Sequence, residues 1–244
     1  MPLTFAHPAI VLPLNKLTSR WFSLTGLIVG SVVPDFEYFI RMRVYSIYSH
    51  TWLGLLSFDL PLGLLLTFVY HDIVRDKLIQ NMPLPLYQRL SIFKQFNWDG
   101  YCKQHWFKVV ISILVGAASH LFWDSFTHIN GYFVAQYGMT KTTLVFGHQL
   151  PIYKVIQHAS TLVGGVAIIT ALWRLAVMPA SRIKTTYPYW LSVVAIAMIV
   201  LVLRIALGLH IKAYFDLLVT ALSGLLIAVT IVPLAGQRWF KSLN

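Results

Sequence analysis

Charge and cysteine are both scarce in this chain of 244 residues. Only 11% of the residues are charged, compared with about 25% in an average soluble domain, while 57% are hydrophobic and the mean hydropathy is +0.69. The one cysteine, Cys102, excludes an internal disulfide and a cysteine-rich zinc site. Ligands for a metal must therefore come from nine histidines and eight acidic residues.

Long apolar runs take the place of the missing charge. Five of them are about as long as the ~20 residues that a membrane-spanning helix needs. They cover residues 52–70, 106–123, 152–177, 189–209 and 213–234. An earlier stretch, 8–33, holds two shorter apolar pieces and predicts either a short helical hairpin or one further span.

The sequence therefore predicts an all-α fold, a polytopic integral membrane helical bundle. We expect a single membrane domain over residues 1–244, with its motifs within 5–160 and C-terminal spans within 189–234. The Gly164-Gly165 pair in the fourth of the long runs favours close helix packing.

The formal net charge of +11 comes from lysines and arginines that cluster between the apolar runs. On a soluble chain this charge would suggest a nucleic-acid partner, but no nucleic-acid motif accompanies it. The positive-inside bias and attraction to anionic lipid explain it more simply. We therefore expect membrane lipid as the partner, no nucleic acid, a place in the cytoplasmic (inner) membrane, and a cytoplasmic C-terminus.

Two histidines and an aspartate are spaced so that they share one helix face near the end of the run 106–123. His120, Asp124 and His128 follow each other at intervals of four residues. Desolvating these groups separately is costly, and a divalent metal would satisfy all three together. The alternative is a helix end whose polar groups meet lipid headgroups and water, and this stretch alone supports both interpretations equally.

Further short motifs occur in order along the chain, each beside an apolar segment. They are His7-Pro8, Pro34-Asp35, Ser49-His50-Thr51 and Ser119-His120-x-x-x-Asp124. Together they resemble the membrane-bound metal-dependent hydrolases of bacteria and archaea, and the chain looks like a bacterial sister branch of that family. The resemblance covers roughly residues 5–130.

The resemblance implies a set of metal ligands, which are His7, Asp35, His50, His120 and Asp124. His128 and His158 lie outside the shared motifs and are added from this sequence as further candidates. Imidazole and carboxylate ligands suit Zn²⁺, with Mn or Fe as alternatives. Five ligands leave two arrangements open: one metal with a remaining acid as base, or two metals that share Asp35 or Asp124.

The implied activity is hydrolysis by a site at the outer membrane interface. Glu37 stands where that family commonly has a second aspartate, and Glu37 or Asp35 is the candidate proton acceptor. Arg41, Arg43 and Lys154 are candidates to hold a phosphate oxyanion. We expect a phosphate ester of a lipid or amphiphile as the substrate.

Two other functions fit the same residues. The chain could be a structural membrane protein whose histidines and aspartates bind metal or hydrogen-bond between helices. It could also be a transporter with His120, Asp124 and Asp59 along a metal or proton path. The enzyme ranks first and the structural protein second by a small margin. The transporter ranks third, because the candidate ligands gather at one interface rather than at the midplane.

Overall fold

Helices dominate the computed structural model, which describes residues 4–17, 20–94, 96–179 and 186–241. About three quarters of the chain is helical, and the predicted all-α polytopic bundle is confirmed. The helices are α1 (Pro8–Leu17), α2 (Leu24–Val32), α3 (Phe36–Arg41), α4 (Trp52–Gln80), α5 (Leu84–Leu90), α6 (Trp98–Thr127), α7 (Tyr132–Gln136), α8 (Ile152–Trp173), α9 (Tyr187–Ala206) and α10 (Tyr214–Lys241). Short 3₁₀ turns lie at Thr4–Ala6, Val33–Asp35 and Ser91–Phe93.

Among the residues that the structure describes, five helical segments are long and apolar enough to cross a membrane, as the sequence predicted. They are Trp52–Gln80, Trp98–Gln136, Ile152–Trp173, Tyr187–Ala206 and Tyr214–Ala235. The first two extend well beyond the apolar runs that predicted them. Lysine, arginine, glutamine and glutamate continue a helix almost as readily as leucine does, so the end of an apolar run does not mark the end of a helix.

The N-terminal stretch forms the short helical hairpin rather than a single span. Helices α1 and α2 have ten and nine residues, which is too short to cross a bilayer, and they contact each other. Ser23 caps the start of α2 by accepting a hydrogen bond from the backbone N–H of Gly26. The turn at Val33–Asp35 follows α2 directly and delivers Asp35 at its end.

The chain forms two compact units, and each is assembled from separate stretches. The first unit comprises Met1–Asp35, Tyr48–Leu64 and Cys102–Arg174, and the second comprises Phe36–Ile47, Leu65–Tyr101 and Leu175–Asn244. That the whole chain forms a single membrane domain, as expected from the sequence, remains a prediction. All of the histidine ligand candidates belong to the first unit.

Close contact between α2 and α6 holds the first unit together. Gly26 and Gly30 are one turn apart on α2, and Gly116 faces them from α6. A Cβ at Gly30 would overlap the carbonyl oxygen of Ile113, and one at Gly116 would overlap that of Leu27. Small residues at this spacing let two helix backbones approach closely in a membrane.

A second close approach positions the N-terminal turn. A Cβ at Gly164 of α8 would come within 2.9 Å of the Ala6 Cβ and carbonyl oxygen. The expected packing role therefore holds for Gly164, against the 3₁₀ turn Thr4–Ala6. The neighbouring Gly165 would meet no heavy atom within 4 Å.

A β-hairpin precedes α8 in the same unit. Its antiparallel strands are β1 (Thr142–Val145) and β2 (His148–Pro151), with Val145 paired to His148. The strands are the only two in the described part of the chain.

The second unit packs α9 against α10. Polar side chains on α10 fasten it to the segment around α3: Ser223 donates to the carbonyl oxygen of Phe39 at 2.8 Å, and Thr220 donates to that of Met42 at 3.2 Å. Asp216 accepts a hydrogen bond from the backbone N–H of Val44 at 2.8 Å.

Candidate metal centre

Four separate segments of the first unit contribute five polar side chains to a buried cluster. His7 lies between the turn Thr4–Ala6 and α1, and Asp35 ends the turn after α2. His50 immediately precedes Thr51, which caps the start of α4 through the backbone N–H of Gly54. His120 and Asp124 project from one face of α6, as their spacing predicted.

Four ligand atoms in this cluster alternate between imidazole nitrogen and carboxylate oxygen. The Nε2 atom of His50 lies 3.5 Å from Oδ1 of Asp35 and 3.7 Å from Oδ2 of Asp124. The Nε2 atom of His120 lies 3.6 Å and 3.3 Å from the same two oxygens. All four distances are too long or too poorly directed for good hydrogen bonds, yet they are nearly equal.

Each of these four nitrogen–oxygen separations is close to the distance between two neighbouring ligands of a tetrahedral metal ion. Bonds of ~2.0–2.2 Å to nitrogen and oxygen place neighbouring tetrahedral ligands about 3.3–3.6 Å apart. Two overlapping groups in the cluster have ligand atoms that all lie within 4.8 Å of one another: His7, Asp35 and His120, and His50, His120 and Asp124. The buried cluster could therefore bind a metal ion.

The contacts of His120 determine which of its nitrogens faces the cluster. Its Nδ1 lies 2.8 Å from the carbonyl oxygen of Ser31, which can only accept, so Nδ1 carries the proton. In the neutral ring, Nε2 then presents its lone pair to Asp35 and Asp124. Neither His120 Nε2, Asp35 Oδ1 nor Asp124 Oδ2 has a hydrogen-bond partner among the described residues. A metal cation between them would satisfy all three atoms at once.

Asp35 is oriented by its second oxygen. The hydroxyl of Thr4 donates to Oδ2 at 2.5 Å, which leaves Oδ1 directed at the two histidines. The side chain is fully buried. Burial alone would raise the pKa of Asp35, but the nearby His120 and His50 imidazoles hold that pKa below its usual value. The carboxylate is thus kept in the charged form that a metal requires.

The other oxygen of Asp124 faces a second pair of histidines. Its Oδ1 lies 3.3 Å from Nε2 of His7 and 3.3 Å from Nδ1 of His128. The His7 ring also stacks on His120, with 3.9 Å between the ring centroids. Asp124 therefore lies between two groups of imidazoles, which is the position of the bridging carboxylate in the two-metal alternative.

Glu37 and Arg41 are engaged with each other in the second unit. The Glu37 carboxylate is buried, contacts Nη2 of Arg41 at 2.8 Å and accepts from the backbone N–H of Ile47 at 2.9 Å. The Arg41 guanidinium also lies over the ring of Tyr45. These contacts give both residues a structural role, and their expected functions as base and phosphate ligand remain predictions.

The remaining candidates lie on the protein surface. Arg43 is exposed and lies 3.9 Å from Asp216. Lys154 and His158 are exposed on α8, while Gln157 between them donates to the carbonyl oxygen of Thr127. The inward face of α8 thus carries the glutamine, and His158 is outside both metal-ligand groups found among the described residues.

Three residues that orient the ligands were missed by the sequence reasoning. Thr4 and Ser31 contact Asp35 and His120, and the Ser49 hydroxyl lies 2.9 Å from Nδ1 of His50. Serine and threonine are common throughout the chain, and Ser31 acts through its carbonyl group, so no side-chain pattern would have revealed it. The G-x-x-x-G spacing of Gly26 and Gly30 was the one readable signal that α2 approaches another helix.

The fold and the cluster define a multi-pass membrane protein with a buried His/Asp site that could bind a metal. The chain belongs to the family described as "Domain of unknown function (DUF4184)", whose sequence model matches residues 1–234. Neither the curated proteins nor the solved structures gave a significant match.

Proposed function

We propose that this protein is a membrane-embedded, metal-dependent hydrolase. The observation that carries the proposal is the set of four alternating contacts of 3.3–3.7 Å among His50, His120, Asp35 and Asp124. The resemblance of these motifs to membrane-bound metal-dependent hydrolases also supports it. In this proposal His50, His120, Asp35 and Asp124 hold a divalent ion, with Zn²⁺ first and Mn or Fe as alternatives.

The surrounding residues fix the ligands rather than react. Ser31 holds the His120 tautomer and Thr4 holds the Asp35 rotamer, so Nε2 and Oδ1 need little reorganisation to meet a cation. A divalent ion held by these four residues would supply Lewis acidity and would make hydroxide available near neutral pH. His7 is either a fifth ligand or, with Asp124, part of a second ion's ligand set.

His128 is the best placed candidate to move a proton. Its Nδ1 lies 3.3 Å from both the side chain and the backbone carbonyl oxygen of Asp124, and its side chain is 30% exposed. The carbonyl contact puts the proton on Nδ1 and leaves Nε2 as the basic nitrogen. This geometry resembles the carboxylate–imidazole pairs of general bases, so His128 supplements Glu37 and Asp35 as a candidate proton acceptor.

The substrate in this proposal is a phosphate ester of a lipid or amphiphile. The site belongs to a membrane protein with exposed cations, of which Lys154 lies in the same compact unit as the cluster. Arg43 and Arg41 are the further candidates for the phosphate oxyanion. We place the protein in the inner membrane with its C-terminus in the cytoplasm, on the distribution of lysine and arginine between the spans.

Elemental analysis combined with turnover tests the proposal. Wild-type protein, purified in detergent without chelator, should carry about one or two divalent ions per chain and hydrolyse at least one member of a panel of lipid phosphomonoesters and phosphodiesters. Asp35→Asn and His120→Gln should lose both properties while staying folded.

A structural membrane protein is the rival, because the same histidines could be protonated and ion-paired with the aspartates. In that case wild type would contain no stoichiometric metal, and Asp35→Asn would lower the thermal stability without any loss of metal. If the protein binds metal but hydrolyses none of the esters, the metal-site proposal stands and the hydrolase proposal is rejected.

A further inference from the structure

The tip of the β-hairpin carries a bulky aromatic residue in a backbone conformation that is unfavourable for such a side chain. Phe146 and Gly147 form the two-residue connection between β1 and β2, with φ angles of 46° and 82°. Positive φ at both positions is typical of a type I′ turn, in which Asn-Gly is the preferred pair. A phenylalanine in the left-handed region is an outlier that calls for a functional reason.

The Phe146 ring does not pack into the protein interior. It is 98% exposed, and Leu144 on the adjoining strand is 67% exposed. Tyr132 and Tyr137 in the segment before the hairpin are exposed as well. Exposing several large apolar and aromatic side chains within one short segment is unfavourable in water, and surfaces of this kind mark interaction sites.

The hairpin is fastened to the end of a membrane-spanning helix. The backbone N–H of Ile152, the first residue of α8, donates to the carbonyl oxygen of Lys141 at 3.0 Å, and that of Tyr153 donates to Met139 at 3.0 Å. Since α8 is a candidate span that begins at Ile152, the hairpin lies at the height where this helix leaves the bilayer.

The same helix end is joined to the His/Asp cluster. Gln157, just over one turn into α8, donates to the carbonyl oxygen of Thr127 at 3.2 Å. The Thr127 hydroxyl in turn lies 3.4 Å from Oδ1 of Asp124. The hairpin and the cluster therefore belong to the same end of the first unit.

The charge around the hairpin identifies the surface it meets. No aspartate or glutamate occurs between residues 125 and 215, whereas Lys141 and Lys154 flank the hairpin and are exposed. Aromatic side chains with lysines at the end of a span are typical of the membrane interface, where rings enter the acyl region and cations meet anionic headgroups. Binding to a soluble protein would not explain why the hairpin lies at the end of a membrane-spanning helix.

We propose that the hairpin Thr142–Pro151 is a membrane anchor that inserts Phe146 and Leu144 into the lipid leaflet beside the His/Asp cluster. Lys141 and Lys154 meet anionic headgroups, and the insertion keeps the cluster's end of the unit against the lipid surface. The anchor stands independently of the hydrolase proposal, because it rests on the hairpin's geometry, exposure and charge.

Single-cysteine fluorescence measures the insertion. In a Cys102→Ser background, Phe146→Cys is labelled with the environment-sensitive fluorophore NBD and reconstituted into nanodiscs of phosphatidylcholine and phosphatidylglycerol. Leu162→Cys, which is exposed in the apolar part of α8, is the lipid reference, and Thr142→Cys at the base of the hairpin is the matched control. Quenching by brominated lipid is compared with quenching by iodide in solution.

The anchor predicts a blue-shifted emission at position 146 close to that at position 162, with lipid quenching severalfold stronger than at position 142. Iodide quenching equal to that of the free label in buffer would overturn it. Protection from both quenchers would also overturn it, because it would mean that protein covers the tip, either as a lid on the cluster or as a second copy of the chain. Both readouts are independent of metal and turnover.

Discussion

Each compact unit buries a histidine among charged groups, but the two histidines are satisfied in different ways. In the second unit, Arg75 Nη1 donates both to Nδ1 of His71 and to the carbonyl oxygen of Phe96, each at 2.8 Å, and the His71 ring stacks on Trp98. In the first unit, His120 aims Nε2 at two carboxylate oxygens that have no hydrogen-bond partner among the described residues.

The difference shows what separates a structural histidine from a ligand. Arginine has no acceptor, so Nδ1 of His71 must use its lone pair to accept the arginine proton. That lone pair is therefore not available to bind a metal ion. The lone pair of His120 instead faces anionic oxygens, an arrangement that is repulsive without a proton or a cation between them. Burial alone does not distinguish a structural histidine from a metal ligand, because His71 and His120 are both buried.

The sharpest test of this contrast substitutes each histidine in turn. His120→Ala removes a ligand, and we expect metal affinity to fall by more than the ~10–100-fold seen when an outer contact is lost. His71→Ala should leave metal content unchanged and lower thermal stability, because the buried Arg75 loses an acceptor. Elemental analysis and thermal unfolding in detergent measure both. Equal metal content in wild type and His120→Ala would remove the distinction.

The second test separates the ligands without altering any of them. Gly30→Leu forces α2 away from Ile113 on α6, and overpacking of this kind costs about 1–3 kcal/mol. We expect the metal to be lost as well, because α2 leads into Asp35 while α6 carries His120. The control is Gly165→Leu, where a Cβ meets no heavy atom within 4 Å. Metal binding that survives Gly30→Leu would show that Asp35 is dispensable.

A smaller effect should follow from loosening one ligand. Thr4→Val keeps the shape of the side chain but removes the hydrogen bond to Oδ2 of Asp35. We expect metal affinity to fall by about 10–100-fold with little change in the fold. Thr230→Val is the control, since that hydroxyl donates only to the carbonyl oxygen of Leu226 in its own helix. Competition with a chromogenic chelator gives the affinities, and identical values for the two variants would count against an orienting role.

Low pH should weaken metal binding by the His/Asp cluster of the first unit. No change in metal content is expected from the His71–Arg75 contact of the second unit. Imidazole ligands must be neutral and protons compete with the metal for their nitrogens, so metal affinity should fall as the pH is lowered. The lowered pKa of Asp35 stabilises the fold above the ordinary aspartate value and this contribution is lost as pH falls through the folded-state pKa. A metal affinity that is flat between pH 8 and pH 5 would contradict histidine ligation.

The smallest effect is expected at Arg43. It is exposed and its contact with Asp216 is 3.9 Å, so Arg43→Ala should change the free energy of unfolding by no more than about 0.5 kcal/mol. Arg41→Ala should destabilise more, since it removes two guanidinium donors, Nε and Nη2, from the buried Glu37 carboxylate. If Arg43 holds a substrate phosphate, its substitution should raise KM for a phosphate ester without altering stability; unchanged KM would exclude that role.

Much of the candidate site could be predicted because its residues occur in short motifs beside apolar segments. The i, i+4 spacing of His120 and Asp124 determines that they share a helix face. Pro34 disfavours continuation of the preceding helix, and the structure has Asp35 at the end of a 3₁₀ turn. The sequence could not separate His158 from the cluster, because a shift of one residue along α8 decides that Gln157 rather than His158 turns inward.

The amino-acid sequence by itself determined the class of fold, the five long apolar spans and the residue types available to a metal, because apolar length and composition are properties of the chain. Only the tertiary structure decided which of those residues meet. Glycine contacts between α2 and α6 bring Asp35 to His120, whereas Glu37, two residues further on, binds Arg41 instead. Convergence at distances of a few ångströms depends on how backbones pack, and no local pattern in a sequence contains that information.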